Sequence, residues 1–560
     1  MKEISLLNTK SFKGFSIFKK GMIEMMSTPL LLTSFFKRAE RYFPHKQIIS
    51  RTAPDTIHRI TYGQYAKRTR KLADALTKLG MTKGTKVGTF AWNTHRHLEA
   101  YFAIPCSGAI LHTINIRLSP EHIVYIINHA EDEILLIDGD LFPLVEPALA
   151  ALKTVKHVIV MGDSKTAPES NFPSVHSYEA LLEEADETFA FPDDLDENSP
   201  AGMCYTSATT GMPKGVVYTH RSIVLHSLAL GLSESFALKE SDVALPIVPM
   251  FHVNAWGFPF AALNFGATQV LPGPMFTPQL ILDLIEQEKV TITAGVPTIW
   301  LGVLAEQEKN PRDLSSIRMI ISGGSASPKG LIQAYIEKLG INYINAYGMT
   351  ETSPLVTMSY PLSTMTDYPD DELYNLRVAQ GLTVSLTETE VVNDDGLVPW
   401  DGTTMGELRI RGPWIASEYY KDERTADAFL DGWLYTGDIA VITKEGYIKI
   451  TDRTKDLIKS GGEWISSVDL ENALMSHPAV FEAAVIAVPH EKWQERPLAC
   501  VVLHEGQTAT KEELLASLEN EFAKWWIPDD VVFLQEIPKT SVGKFLKAKL
   551  REELHNFTFS

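Results

Sequence analysis

Cysteine is scarce in this chain, and long apolar runs are missing from it. The three cysteines, Cys106, Cys204 and Cys500, lie far apart in 560 residues. They form neither the CxxC pairs of a zinc site nor the framework of a disulfide-rich secreted domain. No stretch approaches the ~18 apolar residues that a membrane-spanning helix requires. The sequence therefore predicts a protein of a reducing, cytoplasmic compartment with no integral membrane segment.

Positive charge is also scarce, since 51 Lys and Arg residues stand against 70 Asp and Glu residues and give a net charge of −19. A general nucleic-acid-binding protein needs clustered Lys and Arg for phosphate contacts, so that function is not expected. An anionic ligand would have to be attracted by a local basic site. The length of 560 residues exceeds one compact core and predicts two or more domains.

Residues 1–28 differ from the rest because lysines alternate there with isoleucine, leucine and phenylalanine. No continuous apolar stretch follows the lysines, which argues against a signal peptide. We favour a tail of uncertain structure, or an upstream start with the working chain beginning near Met22 to Met26, over a helix on a membrane surface. Peripheral membrane contact stays open as the alternative.

Several common catalytic motifs are missing as well. Lys544 follows Gly543 but precedes Phe545, whereas a Walker A loop needs Ser or Thr at that position. No GxGxxG follows a predicted strand, no HExxH is present, and Ser164 lies in an incomplete GxSxG pattern. The sequence therefore does not support a kinase-like, Rossmann or hydrolase function.

What the chain does contain is the stretch YTSATTGMPKG at residues 205–215. Five small side chains, Thr206 to Thr210, are followed by Gly211, Lys214 and Gly215. Small side chains leave backbone N–H groups uncovered, glycines permit unusual backbone angles, and the lysine supplies a mobile ammonium. These properties favour a loop that holds a polyphosphate over an ordinary surface turn. A strand is predicted before the loop at 203–205 and a helix after it at 222–230.

Helical and strand patterns alternate from Leu30 to about Pro200, as is typical of a mostly parallel sheet covered on both faces. Residues 166–199 are acidic and contain proline, and we interpret them as a surface connection. The clearest predicted elements before them are a helix at 62–79 and strands at 86–91, 133–137 and 155–160.

Three later strands end in small or polar residues; they are predicted at 290–294, 318–322 and 341–345. Ligands bind beyond the carboxyl ends of the strands in parallel α/β sheets. We therefore expect these three ends to share one site with residues 205–215.

After residue 406 the pattern changes to β-strands, with a strand at 407–411 and a hairpin at 439–450. From Asp452 onward we predict helices at 468–475, 511–524 and 544–554, and strands at 483–488, 499–503 and 531–534. The predicted fold class is α/β. A large N-terminal domain (29–451) would combine parallel-rich sheets covered by helices with a small β-barrel-like part, and a small α+β domain (452–560) would follow.

Five motifs occur in an order that resembles the adenylate-forming enzymes, a superfamily of acyl-CoA synthetases, nonribosomal peptide adenylation domains and firefly-type luciferases. They are residues 205–215, YGMTE at 347–351, YTGD at 435–438, DRTKDLIK at 452–459 and PKTSVGK at 538–544. The stretches VPMFHVNAW at 248–256 and SGGEWIS at 460–466 are similar to bacterial fatty-acyl-CoA ligases, particularly those of the long-chain type.

The resemblance implies that a carboxylate attacks the α-phosphate of ATP and that the thiol of coenzyme A then displaces AMP. It implies that Tyr347 stacks on adenine and that Asp438, assisted by Arg453, binds the ribose; a core tyrosine and a turn aspartate are the alternatives. The other positions implied in cofactor binding are Thr206, Ser207, Ala208, Thr209, Thr210, Gly211, Lys214, Gly324, Asn345, Ala346, Thr350, Lys455, Lys459 and Trp464.

Magnesium would be held by Glu351 and Thr206, because a hard carboxylate oxygen suits this ion. The alternative for Glu351 is an acidic residue in the first turn of the next helix. Lys544 would stabilise charge on the transferred phosphoryl group, instead of being a solvated lysine at a helix start. His252 either approaches the carboxylate or caps its loop. The small domain is expected to move on a hinge near Asp452.

The substrate prediction depends on residues 251–265, which carry no charge after His252. An amino-acid substrate would need a buried carboxylate for its ammonium, and none is present there. The resemblance makes Trp256, with Val253 beside it, the gate of an acyl tunnel. A medium- to long-chain fatty acid is therefore predicted; a short, thioether or aryl acid is the second possibility, and a non-catalytic sensor is the third.

The same resemblance implies that ATP, Mg²⁺ and coenzyme A are required and that the protein forms a homodimer through its large domain. One residue departs from the pattern, because the family loop usually has glycine where Ala208 stands. If that position requires a positive φ, alanine is strained by roughly 1 kcal/mol or more.

We predict that Ala208→Gly changes the KM for ATP by less than about tenfold, the factor that corresponds to ~1.4 kcal/mol. Steady-state kinetics with varied ATP checks this. A larger gain for the glycine variant would show that the natural loop is impaired.

Overall fold

The computed structural model describes residues 25–206, 212–461, 463–490, 492–519, 521–540 and 544–559. In chain order, the strands are β1 (Gln47–Ala53), β2 (Thr56–Thr61), β3 (Lys86–Phe90), β4 (Ile110–Thr113), β5 (Ile134–Asp138), β6 (His157–Met161), β7 (Val175–Ser177), β8 (Pro200–Tyr205), β9 (Gly215–Thr219), β10 (Val243–Pro246), β11 (Thr268–Leu271), β12 (Ile292–Gly295), β13 (Met319–Gly323), β14 (Tyr343–Gly348), β15 (Leu355–Met358), β16 (Leu382–Thr383), β17 (Glu388–Asn393), β18 (Gly396–Leu397), β19 (Gly406–Arg411), β20 (Phe429–Leu430), β21 (Trp433–Ile442), β22 (Ile448–Arg453), β23 (Ile458–Ser460), β24 (Glu463–Ile465), β25 (Val480–His490), β26 (Gln494–Leu503) and β27 (Asp530–Phe533).

The helices are α1 (Leu32–Tyr42), α2 (Tyr62–Lys78), α3 (His95–Cys106), α4 (Pro120–Ala130), α5 (Phe142–Val145), α6 (Tyr178–Glu183), α7 (His220–Ala229), α8 (Val253–Trp256), α9 (Phe258–Phe265), α10 (Pro278–Glu288), α11 (Pro297–Lys309), α12 (Lys329–Gln333), α13 (Asp370–Val378), α14 (Thr425–Ala428), α15 (Ser467–Met475), α16 (Lys511–Leu518) and α17 (Lys547–Glu553). Within the described ranges, no helix combines the length and the apolar character needed to cross a bilayer.

The first sheet has the strand order β7-β6-β5-β3-β4-β8-β9 and is parallel except for the antiparallel pair β8–β9. Its strand β5 is buried along its whole length because helices cover both faces of the sheet. The predicted helix at 62–79 is confirmed as α2, which begins with a capping box formed by Thr61 and Gln64. The predicted surface connection at 166–199 is partly wrong, since β7 joins the edge of this sheet and α6 follows it.

The second sheet has the order β16-β15-β14-β13-β12-β10-β11-β1-β2. Its strands β12, β13 and β14 are adjacent and parallel, with Ala294 level with Ile321 and Ile321 level with Ile344. Their carboxyl ends therefore open at one edge, as the sequence predicted. The α/β class with parallel-rich sheets is confirmed.

Asn93, three residues after β3, connects the two large sheets. Its buried amide donates hydrogen bonds to the carbonyls of Pro246 and Val248, at 3.1 and 2.9 Å, and accepts one from the N–H of Met250 at 2.7 Å. The hydroxyl of Tyr101 donates to the carbonyl of Met250 as well. These bonds hold the segment that follows β10 against the first sheet, so that both carboxyl edges face the same space.

The later part of the chain forms two smaller sheets. Strands β17 to β22 make an antiparallel sheet, and β23 to β27 make a five-stranded sheet that α15, α16 and α17 accompany. Two predicted helices are shorter than expected. The helix at 511–524 ends at Leu518, whose carbonyl accepts backbone hydrogen bonds from Glu521 and Phe522. The helix at 544–554 begins only at Lys547, because Phe545 forms an antiparallel bridge with Lys539.

Candidate functional site

A cavity of about 680 Å³ opens where the two large sheets and the last sheet meet. Strand ends of the second sheet, the end of the loop after β8 and residues of the C-terminal part all line it. It brings together most of the predicted site residues: Thr206, Lys214, His252, Val253, Trp256, Gly324, Asn345, Ala346, Tyr347, Thr350, Glu351, Asp438, Arg453, Lys455 and Lys544. The expectation that the three strand ends share a site with the loop at 205–215 is met by this arrangement.

Other predicted residues are not part of this cavity. Lys459 and Trp464 face each other across the β23–β24 hairpin and are exposed to solvent. Five positions of the phosphate loop lie outside the described residues, so their predicted roles stay predictions; they are Ser207, Ala208, Thr209, Thr210 and Gly211.

At one end of the cavity, two partners hold the carboxylate of Asp438. The hydroxyl of Tyr347 donates to Oδ2 at 2.5 Å, and Nε of Arg453 lies 2.6 Å from Oδ1. Asp438 is buried at the β21–β22 pair, opposite Arg453. Burial, and then the charge of Asp438, raises the pKa of Tyr347, so that its hydroxyl remains a donor at neutral pH. The three residues therefore form one hydrogen-bonded unit at the cavity wall.

Asn345 supplies an unused acceptor beside this unit. Its amide nitrogen donates to the carbonyls of Arg377 and Val378 at 2.9 and 3.2 Å, which fixes the side chain. Its Oδ1 is buried and has no hydrogen-bond partner in the described part of the chain. An unpaired buried acceptor is costly unless a ligand donor satisfies it. The exocyclic amino group of adenine is such a donor, so this end of the cavity fits the nucleotide that the sequence predicted.

The phosphate-loop end is built around Lys214. The backbone N–H of Thr206 donates to the carbonyl of Lys214 at 2.9 Å, and the hydroxyl of Thr206 accepts from the N–H of Lys214 at 3.1 Å. The Lys214 ammonium lies 3.9 Å from the ring centroid of Tyr419, within the range of a cation–π contact. Burial lowers the pKa of Lys214, and the nearby carboxylate of Glu351 opposes that effect.

Glu351 lies in a short 3₁₀ turn after β14 and is buried at the cavity, 4% exposed. Its Oε1 accepts a hydrogen bond from the hydroxyl of Tyr419 at 2.7 Å. No group of three or more metal-binding side chains exists among the described residues. A carboxylate with a threonine hydroxyl still suits Mg²⁺, which usually completes its coordination with water and phosphate oxygens. Glu351 and Thr206 therefore fit the ion that the sequence predicted.

Lys544 reaches this cavity from the C-terminal part of the chain. The N–H of Thr540 donates to the carbonyl of Lys544 at 2.7 Å, and the N–H of Lys544 donates to the hydroxyl of Thr540 at 3.1 Å. Lys539 forms an ion pair of 2.7 Å with the buried Glu482. Gly324, with φ +86°, lies against the lysine: an added Cβ would be 3.4 Å from its Cε. Burial, together with the charge of Arg453, lowers the pKa of Lys544 to about 8. The side chain of Lys544 thus reaches the cavity near Gly324 and within the electrostatic influence of Arg453 and Asp438.

The apolar end of the cavity contains a left-handed turn. The four residues of α8, Val253 to Trp256, have φ between 45° and 55°, and Gly257 follows with φ +81°. Each non-glycine residue in this region costs of order 1 kcal/mol, so Asn93 and Tyr101 must hold the segment in place. Trp256 is 9% exposed, and a Cβ on Gly323 would lie 3.1 Å from its ring.

His252 directly precedes this turn. Its side chain makes no capping hydrogen bond there, so the structure does not support the capping alternative. Burial, followed by the charges of Lys544 and Arg117, lowers the pKa of His252 to about 3. The imidazole is therefore neutral at physiological pH. It can donate a hydrogen bond from its one N–H to a carboxylate without bringing a positive charge into the apolar end.

The sequence analysis missed Arg117 and Arg424, which line the cavity, and Tyr419, which contacts the cavity residues Glu351 and Lys214. Arg117 lies 5.9 Å from the ring of Phe251 and faces His252. Arg424 donates a hydrogen bond of 3.1 Å to the carbonyl of Met212, which is 212 positions earlier in the chain. No local motif marks these residues; the only sequence signal is the aromatic and charged run at 419–424.

Comparisons with known proteins give a consistent result. The sequence matches the AMP-binding enzyme family over residues 35–420 and the AMP-binding enzyme C-terminal domain over residues 469–544. A long-chain-fatty-acid–CoA ligase of Thermus thermophilus is 50% identical, covering 95% of this chain and 97% of that protein. A 3-methylmercaptopropionyl-CoA ligase of Ruegeria lacuscaerulensis is 44% identical, covering 95% and 98%. The crystal structure of the anthranilate CoA ligase AuaEII with anthranoyl-AMP has a TM-score of 0.85 at 27% identity, covering 94% and 98%.

The lowered pKa of Lys544 predicts a loss of activity at high pH. The ammonium is present below about pH 8 and loses its proton as the pH rises through that value, despite the opposing charges of Asp438 and Glu351. We expect kcat/KM for carboxylate-dependent ATP–pyrophosphate exchange to fall above about pH 8, because kcat/KM reports the free enzyme.

The control is Lys544→Arg, whose guanidinium stays charged across this range. The variant is expected to be slower but to keep its rate up to about pH 10. A high-pH decline of the same position in both proteins would assign the titration to another group.

Proposed function

This chain belongs to the AMP-binding enzyme family, and we propose that it activates a fatty acid with ATP and transfers the acyl group to coenzyme A. AMP and pyrophosphate are the other products. The observation that carries this proposal is the single cavity in which Lys544, Glu351 and Asp438 share a space with the apolar turn at Trp256. One end offers charged and polar groups for a nucleotide, and the other offers apolar surface for an acyl chain.

In the first step, the carboxylate oxygen of the acid bonds to the α-phosphorus of ATP, and the bond to pyrophosphate breaks. A fatty carboxylate is already ionised near neutral pH, so no general base is required. Tyr347 stacks on adenine, and Asp438 with Arg453 binds the ribose hydroxyls. The Lys544 ammonium stabilises the charge that develops on the phosphoryl oxygens, while neutral His252 orients the attacking carboxylate.

The leaving pyrophosphate is held at the other side of the cavity by Lys214 and by the loop that ends at Met212. Glu351, with the hydroxyl of Thr206, would hold Mg²⁺, whose charge neutralises that of the phosphates. Burial of Glu351 is compatible with this role, since a buried carboxylate is costly unless cations offset its charge, and Mg²⁺ would add to the offset from Lys214 and Lys544.

In the second step, the sulfur of coenzyme A bonds to the acyl carbon and its thiol proton is released to solvent, while the bond from the acyl carbon to the bridging oxygen breaks and AMP leaves with that oxygen. Lys459 and Trp464 are exposed on the β23–β24 hairpin, so they can reach the cavity only if the small domain turns. Asp452 is the proposed hinge. Its Oδ2 accepts hydrogen bonds from the N–H and the hydroxyl of Ser467 at 2.9 and 2.6 Å, which ties the hinge to α15.

A medium- to long-chain fatty acid is the proposed substrate because the acyl end is lined by Phe236, Val248, Val253, Trp256 and Leu355. The second candidate is a short thioether acid, favoured by the 44% identity to the 3-methylmercaptopropionyl-CoA ligase. The protein is proposed to act in the cytoplasm as a homodimer. The three free, buried cysteines are compatible with a reducing compartment.

Carboxylate-dependent ATP–pyrophosphate exchange over a series of acids from propionate to palmitate tests the proposal, followed by thiol consumption with coenzyme A. Exchange should increase toward the longer acids. No exchange with any acid would reject the enzyme, and exchange highest with the shortest acids would favour the second candidate.

Lys544→Ala separates the two steps. Removal of one charge-stabilising donor typically costs ~10²–10³ in rate. We expect exchange to fall by at least about that factor, while thioester formation from supplied acyl-adenylate and coenzyme A stays within about threefold of the unaltered protein. Equal losses in both assays would refute the assignment of Lys544 to the first step.

Trp256→Ala should change the chain-length preference. Each buried methylene contributes ~0.8 kcal/mol, a factor of about four in affinity, so a change in accessible depth by two methylenes shifts the preference by about tenfold or more. The ratio of kcat/KM for palmitate to that for octanoate measures this. Trp400→Ala, at a tryptophan that is 61% exposed, is the matched control and should leave the ratio unchanged.

A further inference from the structure

The segment 419–425, which we call the strap, crosses the end of the phosphate loop. Its Tyr420 donates a backbone hydrogen bond of 2.8 Å to the carbonyl of Gly215, and the two residues form an antiparallel bridge. Arg424 donates to the carbonyl of Met212 at 3.1 Å and is itself fixed by Asp422. The strap therefore continues the β8–β9 hairpin and holds the point at which the loop re-enters β9.

Tyr419, the first residue of the strap, contacts two predicted ligand-binding groups at once. Its hydroxyl donates a hydrogen bond of 2.7 Å to Oε1 of Glu351, and the centroid of its ring lies 3.9 Å from the ammonium of Lys214. The tyrosine is 5% exposed, and its N–H is bonded to the hydroxyl of Thr425 at 3.0 Å. Its ring also packs edge-on against Phe429. These contacts hold the buried tyrosine in place.

We propose that Tyr419 is a positioning residue that couples the metal-binding carboxylate of Glu351 to the phosphate-loop lysine Lys214. This inference rests on the proposed function, because it assumes that Glu351 holds Mg²⁺ and that Lys214 holds phosphate. The hydroxyl fixes the orientation of the carboxylate, and the π face fixes the ammonium. One rigid side chain thereby sets the spacing of two groups that bind the same polyphosphate. Coupling between two sites is reciprocal, so Mg²⁺ at Glu351 and phosphate at Lys214 each strengthen the binding of the other.

Two substitutions at this position separate the two contacts. Tyr419→Phe removes the hydroxyl and keeps the ring, whereas Tyr419→Leu removes both. The affinity for ATP, measured by titration calorimetry with Mg²⁺ and again with excess EDTA, gives the factor by which Mg²⁺ enhances binding. This measurement needs no carboxylate, no coenzyme A and no turnover.

For Tyr419→Phe we expect the Mg²⁺ enhancement to fall by about tenfold, which corresponds to ~1.4 kcal/mol, while ATP affinity in EDTA stays within about twofold. For Tyr419→Leu we expect the same loss of enhancement and a further decrease of about fivefold in EDTA, because Lys214 loses its ring. Tyr447→Phe is the control: its hydroxyl donates to the carbonyl of Tyr360, away from the cavity, and both affinities should be unchanged.

A uniform loss with and without Mg²⁺ in Tyr419→Phe would show a merely structural role and overturn the inference, as would an unchanged enhancement. The proposed function fails by a different result, namely normal ATP binding with no exchange for any carboxylate. Absence of ATP binding by the unaltered protein would reject both.

Discussion

The contact between Lys544 and the large-domain cavity is the interaction on which the rest of the site depends. The lysine belongs to the C-terminal part of the chain, yet its ammonium lies beside Gly324 and within the field of Arg453, Asp438 and Glu351. A buried ammonium is stable only when carboxylates offset its desolvation. Lys544 and Arg453, together with Lys214, supply the local positive charge that a polyanion needs in a protein whose net charge is −19.

A second constraint is the strained turn at Val253 to Trp256, which forms one wall of the acyl end. Four consecutive non-glycine residues with positive φ would not persist in an isolated chain. They persist because Asn93 fixes the backbone that precedes them, from the edge of the other sheet. Packing of the two sheets therefore decides the shape of the acyl end as much as the residues of the turn do.

Much of the site could be predicted because its motifs are local. The loop at 205–215, the strand ends at Gly324 and Tyr347, and Asp438 each follow a recognisable strand, and parallel strands bring their carboxyl ends to one edge. The prediction was less accurate where tertiary contacts override propensity. Lys544 was expected at a helix start but lies in a hairpin that Thr540 closes, and helix α17 begins three residues later.

The fold class, the family and the chemistry of the motifs follow from local patterns in the sequence, because small side chains, glycines and charges in a fixed order suffice for a phosphate loop and a carboxylate ligand. The packing of distant elements, in contrast, makes Tyr419 join Glu351 to Lys214 and leaves Trp464 exposed, outside the lining of the cavity. Tyr419 is 68 positions from Glu351, and no periodic pattern links them. Such contacts arise when separate elements bury their faces against each other, which is a property of the packed chain and not of any local stretch of it.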